Sequence, residues 1–360
     1  MRVVYCIDSL KLSGGTERVL TTKVNWLCRQ PEVDIYIISL IEDAVPFFPL
    51  DGKVKRVFLY PEEYQEQLDN ALRKIKPDVT VGVAGKSCTL LPKMEDGSAK
   101  ILEFHYTKNF LVNFVRSLHH IHFRQIHLLK MRWMQWKLAR LAKQYDCFVG
   151  LTARDVELWG NPSNMTYVYN PLSFRSERKS TCLNHKIIAV GSITPVKGMD
   201  QLVKAFGLIA ERYPDWSVDI YGNGQERDYL ERLIEENKVQ SQITIFDPVS
   251  DIGDRLVEAS IYAFPSRSDG FGLVITEAME CGLPTVAMNC PCGPFEILSD
   301  CSGIIVPHMD IEAFARALAK LMDDEALRIK MGQAAQREVS RFYPDAIMPQ
   351  WLQIFQKLKQ

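Results

Sequence analysis

Two carboxylates, Asp269 and Glu277, stand eight residues apart in a glycine-rich segment that runs from Ser266 to Pro284. The preceding run Ser260–Pro265 is short, apolar and ended by proline, as expected of a buried parallel strand. Asp269 then falls in the loop after that strand, and Glu277 falls in the first turns of the next helix. Because open parallel sheets bind ligands beyond the carboxyl ends of their strands, this segment predicts a binding site.

The loop also suits an anion. Gly270 and Gly272 lack a Cβ atom, so the backbone can turn sharply and bring its N–H groups close to a ligand. The following helix points its positive end the same way, which favours a diphosphate, and the two acids would then hold sugar or ribose hydroxyls. The alternative is structural: Asp269 caps the helix and Glu277 is a solvated acid in its first turn, each worth up to about 1 kcal/mol.

The whole segment resembles the acid-x7-acid motif of retaining glycosyltransferases with the GT-B architecture, in particular family 4, the glycosyl transferases group 1. Glu277 matches the second acid, whereas Asp269 replaces the usual glutamate and is one methylene shorter. The resemblance implies that Asp269 contacts the donor hexose and that Glu277 holds the ribose hydroxyls. It also implies three backbone donors to the diphosphate, at Phe271, Gly272 and Leu273.

A second segment of this resemblance lies near the start of the chain. A strand pattern over Met1–Ile7 runs into the segment Ser13–Arg18 and then into an amphipathic helical pattern. In the resembling enzymes this loop lies over the donor phosphates and sugar, so Gly14 and Gly15 are candidate donor-binding residues. Taken alone, the two glycines fit an ordinary turn between a strand and a helix equally well.

A third segment, Lys186–Asp200, predicts a strand, a loop and a helix start, with Lys197 in the loop. The resemblance implies that Lys197 binds the leaving diphosphate. The family's arginine in this loop is replaced by Ser192, which donates one uncharged hydrogen bond, so charge-assisted stabilisation would fall to Lys197, alone or with another cation. Arg267 is the candidate for that cation, and its alternative interpretation is a surface arginine on a loop.

Two more positions follow the same family pattern. His105 stands at the end of a predicted strand, where the resemblance implies a contact with the reacting hexose, although a lone histidine is usually structural. Gly293, Pro294 and Glu296 match the family's proline-glycine-proline-x-glutamate loop. A glutamate that begins a helix is stabilised by the helix dipole in any case, so the turn is the firmer part of this match.

Length and composition predict the architecture. The chain has 360 residues, 47% hydrophobic and 24% charged, which suits two soluble domains. Apolar strands alternating with helical patterns predict an α/β protein with parallel sheets covered on both faces. The resemblance implies two Rossmann-like, doubly wound domains facing a cleft. We expect an acceptor-side domain over 1–168, a nucleotide-sugar domain over 172–340 and, as in the resembling enzymes, a helix over 341–360 that crosses back to the first domain.

Other features narrow the class of protein. The nine cysteines include no C-x-x-C pair, and no D-x-D motif follows a strand, so we expect reduced thiols, no obligatory metal and no cofactor apart from the nucleotide sugar. No signal peptide or spanning segment is visible, which predicts a cytoplasmic protein.

Residues 104–145 contain no acidic residue and eight lysines or arginines, interleaved with aromatic and aliphatic side chains. This pattern predicts a basic amphipathic helical stretch that suits an anionic membrane, here the inner face of the plasma membrane. The alternative is a pair of domain helices with a solvated basic face. No nucleic-acid-binding motif accompanies the charge, so nucleic acid is not an expected partner.

The resemblance implies transfer of a hexose or N-acetylhexosamine, with retained configuration, from a nucleotide diphospho-sugar to a glycan or lipid-linked acceptor in surface polysaccharide biosynthesis. The Gly293 loop resembles that of family members acting on UDP-sugars, which implies a UDP-sugar donor, with GDP-mannose as the other donor. The alternatives are a nucleotide-sugar epimerase of the same fold and a non-catalytic nucleotide-sugar-binding module. A dinucleotide oxidoreductase is disfavoured because Arg227 stands where the glycine pattern of Gly222 and Gly224 requires a third glycine.

Overall fold

The computed structural model describes residues 1–40, 45–118 and 122–359. Its internal contacts divide the chain into two compact units. The first unit comprises Met1–Lys108, Trp133–Ser173 and Phe342–Gln360, and the second comprises Asn109–Arg132 and Phe174–Arg341. The domain boundaries expected from the sequence stay a prediction.

The first unit contains a parallel sheet whose seven strands follow the order β3-β2-β1-β4-β5-β6-β7. The strands are β1 (Arg2–Cys6), β2 (Asp34–Leu40), β3 (Lys55–Leu59), β4 (Val79–Gly82), β5 (Ala99–Glu103), β6 (Cys147–Gly150) and β7 (Met165–Tyr167). Consecutive residues of β1, from Val3 to Cys6, are all buried. Burial on both faces is the reason that the central strands read as continuous apolar runs rather than alternating ones.

The second unit contains a six-stranded parallel sheet in the order β10-β9-β8-β11-β12-β13. Its strands are β8 (Lys186–Val190), β9 (Ser217–Tyr221), β10 (Ile243–Phe246), β11 (Ile261–Phe264), β12 (Thr285–Met288) and β13 (Gly303–Val306). The order reverses between β8 and β11, which pair in register at Ile187 and Ile261. Such a reversal opens a crevice at the carboxyl ends of the two strands, where open α/β sheets bind their ligands.

Helices connect the strands and cover the sheets. They are α1 (Gly15–Leu27), α2 (Tyr64–Ile75), α3 (Ser87–Leu90), α4 (Phe110–Ser117), α5 (Arg124–Ala142), α6 (Ala153–Trp159), α7 (Met199–Gly207), α8 (Arg227–Glu236), α9 (Ile252–Val257), α10 (Leu273–Glu280), α11 (Gly293–Ile297), α12 (Ile311–Asp323), α13 (Glu325–Glu338) and α14 (Pro344–Lys359). Short 3-10 turns occur at Leu91–Lys93, Ala210–Arg212 and Val339–Phe342.

The last helix, α14, packs against α1 in the first unit. Trp351 and Phe355 of α14 are buried in the apolar core of that unit, together with Leu20 and Val24 of α1. The predicted fold class is therefore confirmed: the protein is α/β, with two Rossmann-like parallel sheets and a final helix that returns to the first unit.

No helix within the described residues combines the length and the apolar content needed to span a bilayer. All nine cysteines are free thiols.

Candidate functional site

The segment with the two acids folds as predicted into a strand, a loop and a helix. Strand β11 ends at Phe264, and α10 begins at Leu273. The residue before the helix, Gly272, has a φ of 91°, in the left-handed region that glycine adopts without strain. The backbone conformation alone therefore favours glycine at this position, whether or not a ligand binds.

Asp269 organises this loop. One carboxylate oxygen, Oδ1, accepts hydrogen bonds from the N–H groups of Gly272 at 3.1 Å and Phe271 at 3.3 Å. The other oxygen, Oδ2, forms an ion pair with Nζ of Lys197. Two of the three amides predicted to bind the diphosphate thus donate to Asp269, which also holds the predicted phosphate-binding cation. The structure therefore brings together the predicted acid, cation and amides in one cluster.

Lys197 reaches Asp269 because the loops after β8 and β11 touch along their backbones. The N–H of Arg267 donates to the carbonyl oxygen of Val196 at 2.8 Å. Gly198 has a φ of 66°, and a Cβ atom there would lie 2.3 Å from the carbonyl oxygen of Pro265. Glycine at this position lets the two loops meet at the point where the strand order reverses.

Arg267, the predicted second cation, forms a bidentate ion pair with Asp200 of α7, each N···O distance being 2.7 Å. Its Nη1 also donates to the carbonyl oxygen of Pro195 at 2.8 Å. Side-chain exposure is 10% for Arg267 and 2% for Asp200, so the surface-arginine alternative is wrong. The role of Arg267 in donor binding stays a prediction, because the structure shows its guanidinium holding the β8 loop.

Asp200 was not singled out from the sequence. Its only sequence signal is its position in the first turn of α7, where acids are common.

Glu277 is fully buried in α10, so the alternative of a solvated first-turn acid is wrong. Tyr262 of β11 is buried close to both acids. Burial, followed by the negative charges of Asp269 and Glu277, raises the pKa of Tyr262 well above its ordinary value. Tyr262 is therefore close enough to both carboxylates for their charges to affect its pKa. Tyr262 was also not identified from the sequence, because it is one of several apolar or aromatic residues in a buried strand.

The Gly293 loop packs onto the same cluster. A Cβ atom on Gly293 would lie 1.8 Å from the carbonyl oxygen of Phe271, so the loop after β12 contacts the loop that carries Asp269. Cys290 is buried beside them, and its pKa is raised by burial and then by the charge of Asp269. Glu296 is half-buried in α11, and its carbonyl oxygen accepts a hydrogen bond from Arg341. The predicted turn is confirmed, and the role of Glu296 stays a prediction.

Ser192 is exposed, with Oγ 3.4 Å from Oγ1 of Thr194. The nearby glycines Gly222 and Gly224 have a packing function. Added Cβ atoms would lie 1.9 Å from the carbonyl oxygen of Gly191 and 2.3 Å from that of Ile193. Close backbone packing of the β8 and β9 loops therefore accounts for this glycine pair without a dinucleotide.

In the first unit, His105 belongs to a buried row of three interacting side chains, together with Glu103 and Lys23. Nε2 of His105 lies 3.1 Å from Oε1 of Glu103, and Oε2 of Glu103 lies 2.5 Å from Nζ of Lys23. The same Nζ lies 3.4 Å from the ring centroid of Trp351 in α14. Burial alone would raise the pKa of Glu103, but the charges of Lys23 and His105 lower it to about 2. Glu103 therefore stays ionised, and the imidazole of His105 lies beside it just after the end of β5.

Gly14 and Gly15 immediately precede and begin α1. A Cβ atom on Gly14 would lie 2.4 Å from a carboxylate oxygen of Glu17, whereas no atom lies within 4 Å of one on Gly15. The backbone at Gly15 is thus open to an approaching molecule, and its contact with a donor stays a prediction.

The predicted basic stretch forms α4 and α5, with His119, His120 and Ile121 outside the described residues. In the second unit, Nδ2 of Asn113 in α4 donates to Oγ of Ser268 at 3.2 Å, next to Asp269. Asn113 had no recognisable motif in the sequence. Within the described ranges, no three His, Cys, Asp or Glu side chains are grouped as metal ligands.

The chain is similar to several known proteins. Residues 176–338 match the model of the family glycosyl transferases group 1. An uncharacterized glycosyltransferase of Haemophilus influenzae is 26% identical, over 97% of this chain and 98% of its own length. The amylovoran biosynthesis glycosyltransferase AmsD of Erwinia amylovora is 24% identical, over 97% of this chain and 98% of its own length.

Among solved structures, Anabaena Alr3699/HepE in complex with UDP superposes with a TM-score of 0.75 and 16% identity, over 99% of this chain and 100% of that one. The fold is the GT-B glycosyltransferase fold. Together, the family match and the named relatives support a glycosyltransferase role.

Replacing Gly293 by alanine should destabilise the protein by about 1 to 3 kcal/mol, because the new methyl group overlaps the carbonyl oxygen of Phe271 and one of the two loops must move. Urea unfolding measures the change. Gly52→Ala is the control, since Gly52 is exposed and a Cβ there meets no atom within 4 Å. Equal stability of the two variants would contradict the packing of these loops.

Glu103→Gln should lower the stability near neutral pH by about 3 kcal/mol, because it leaves Lys23 buried without its carboxylate partner. The pKa of Glu103 is about 2 in the folded chain and about 4.3 when exposed. The unfolded state therefore binds more protons between these values, and the stability from Glu103 is complete above the upper value and lost toward the lower one.

The measured gap in unfolding free energy between wild type and Glu103→Gln should therefore shrink as the pH falls through that window. The double variant Lys23→Met/Glu103→Gln should recover part of the loss, because it removes both buried charges. A gap that is independent of pH would show that Glu103 is not an ionised partner of Lys23.

Proposed function

We propose that this protein is a retaining glycosyltransferase that acts without an obligatory metal ion. It moves a hexose or N-acetylhexosamine from a UDP-sugar to a glycan or lipid-linked acceptor in surface polysaccharide biosynthesis, with GDP-mannose as the second donor to test. The observation that carries the proposal is the cluster of Lys197, Asp269 and the loop amides, beside the buried Glu277, at the strand-order reversal of the second unit.

The contacts of Lys197 suggest how the donor would bind. A diphosphate and the carboxylate of Asp269 compete for the same ammonium group and for the same amides at Phe271 and Gly272. Donor binding would transfer these donors to the phosphate oxygens and release the Asp269 carboxylate toward the hexose hydroxyls. After this exchange the cation already lies against the diphosphate, so little reorganisation is needed when charge develops on the leaving group.

The remaining residues have complementary roles in the proposal. Glu277 would accept hydrogen bonds from the ribose hydroxyls. His105, oriented by Glu103, would bind a hexose hydroxyl. The diphosphate would leave and the acceptor would enter on the same face of the hexose. A phosphate oxygen would take the proton of the acceptor hydroxyl, and no carboxylate is required as a nucleophile.

The choice of uridine rests on two supports. The Gly293 loop resembles that of family members acting on UDP-sugars, and the Anabaena neighbour was crystallised with UDP. The amylovoran enzyme supports polysaccharide biosynthesis as the setting.

UDP should raise the melting temperature of the protein, whereas GDP, ADP and NAD should raise it less or not at all. A ligand present at a hundred times its Kd adds about 2.7 kcal/mol to the stability of the folded state. Glu277→Gln should lose most of this shift, while Glu236→Gln, an exposed acid on α8, should keep it. Stabilisation by NAD alone, or by no nucleotide, would refute the proposed pocket.

Lys197→Met should lower the release of UDP from a UDP-sugar in the presence of acceptor by about a hundredfold to a thousandfold, since one charged stabiliser of the leaving group is removed. Lys238→Met, at an exposed turn, is the matched control. Product analysis by NMR separates three outcomes. Transfer with retained configuration supports the proposal, interconversion of the free nucleotide sugar indicates an epimerase, and UDP binding without turnover indicates a binding module.

A further inference from the structure

The solvent-facing side of α5 is unusually aromatic. Trp133 and Trp136 are 53% and 50% exposed, although tryptophan is usually well buried in folded proteins. The two residues are three positions apart and therefore share one face of the helix. Ile126 and Leu129, both more than 60% exposed, continue that face along the same helix.

The exposed face is not the side that α5 uses for folding. The opposite side carries Leu128, Met131 and Leu138, which are half-buried, and Ala142, which is buried. The helix thus has apolar residues on two sides, of which only one packs against the protein. The outer side contributes nothing to the core, so its large apolar residues call for another explanation.

Cations lie among the exposed rings. Nζ of Lys137 is 3.6 Å from the ring centroid of Trp133, and Cζ of Arg140 is 4.2 Å from that of Trp136. Both pairs are one helical turn apart and combine a positive charge with an aromatic face. The sequence from 104 to 145 holds no acidic residue that could neutralise them. The outer side of α5 is therefore both apolar and positively charged.

We propose that this α5 face, defined by Trp133, Trp136, Lys137 and Arg140, docks on the surface of an anionic phospholipid bilayer. Exposed tryptophan rings settle at the depth of the lipid headgroups, and each lysine or arginine near an anionic leaflet strengthens binding about fivefold. The uniform positive charge favours anionic lipids over neutral ones. The interaction is a property of this helix and does not depend on the proposed transferase activity.

The test uses the full-length protein and sedimentation with two kinds of vesicle: phosphatidylcholine alone, and equal parts of phosphatidylcholine and phosphatidylglycerol. We expect binding to the mixed vesicles only, with a blue shift of tryptophan fluorescence. Lys137→Glu/Arg140→Glu should weaken that binding more than tenfold, since two attractive charges become repulsive. Trp133→Ser/Trp136→Ser should abolish the fluorescence shift and weaken binding at constant charge.

The matched control is Lys330→Glu/Arg337→Glu, the same change of charge at two exposed positions of α13. It should bind vesicles like the wild type, and all variants should keep the wild-type melting temperature and the UDP response. Equal binding to both vesicle types, loss of binding in the α13 control, or no vesicle binding by the wild type would overturn the proposal. So would wild-type self-association that the tryptophan variant abolishes, because the face would then bind a second copy of the chain.

Discussion

Backbone contact between loops is the constraint on which the second unit's site depends. The loops after β8, β11 and β12 meet at distances that a side chain would not tolerate, as the overlaps of a Cβ at Gly198 with Pro265 and at Gly293 with Phe271 show. Parallel strands end at one edge of the sheet, so their loops are always neighbours, but only glycine lets them touch. That contact places Lys197 over Asp269, two residues that are 72 positions apart in the chain.

In each unit, a buried ion pair lies next to a candidate site residue or includes one. In the second unit, Arg267 pairs with Asp200 and fixes the β8 loop. In the first, Lys23 pairs with Glu103, which faces His105. Buried ion pairs add little net stability because desolvation offsets most of the attraction, but removing one partner is costly. Here each pair favours one arrangement of the neighbouring loop or ring over the others.

The sequence was sufficient for features that depend on local pattern. Apolar runs, glycine turns and helix starts predicted the alternation of strands and helices, the two sheets and the segment from β11 to α10. Features that depend on contacts between distant parts of the chain could not be predicted from the sequence. Asp200 and Tyr262 carry no motif, since an acid in a first turn and a tyrosine in a strand are common. Likewise, the pattern of α5 indicated a basic amphipathic helix, but only the structure shows which face is exposed.

Two departures from the family pattern, Asp269 and Ser192, can be explained together. Asp269 is one methylene shorter than the usual glutamate, and at this length its carboxylate reaches the amides of its own loop as well as Lys197. Ser192 carries no charge where the family has an arginine, and Arg267 is bound to Asp200. In the proposal, the short acid holds Lys197 in position until a diphosphate displaces the carboxylate. In the proposed transferase, a lysine positioned by the shorter acid would therefore act where the resembling enzymes use a pair of cations.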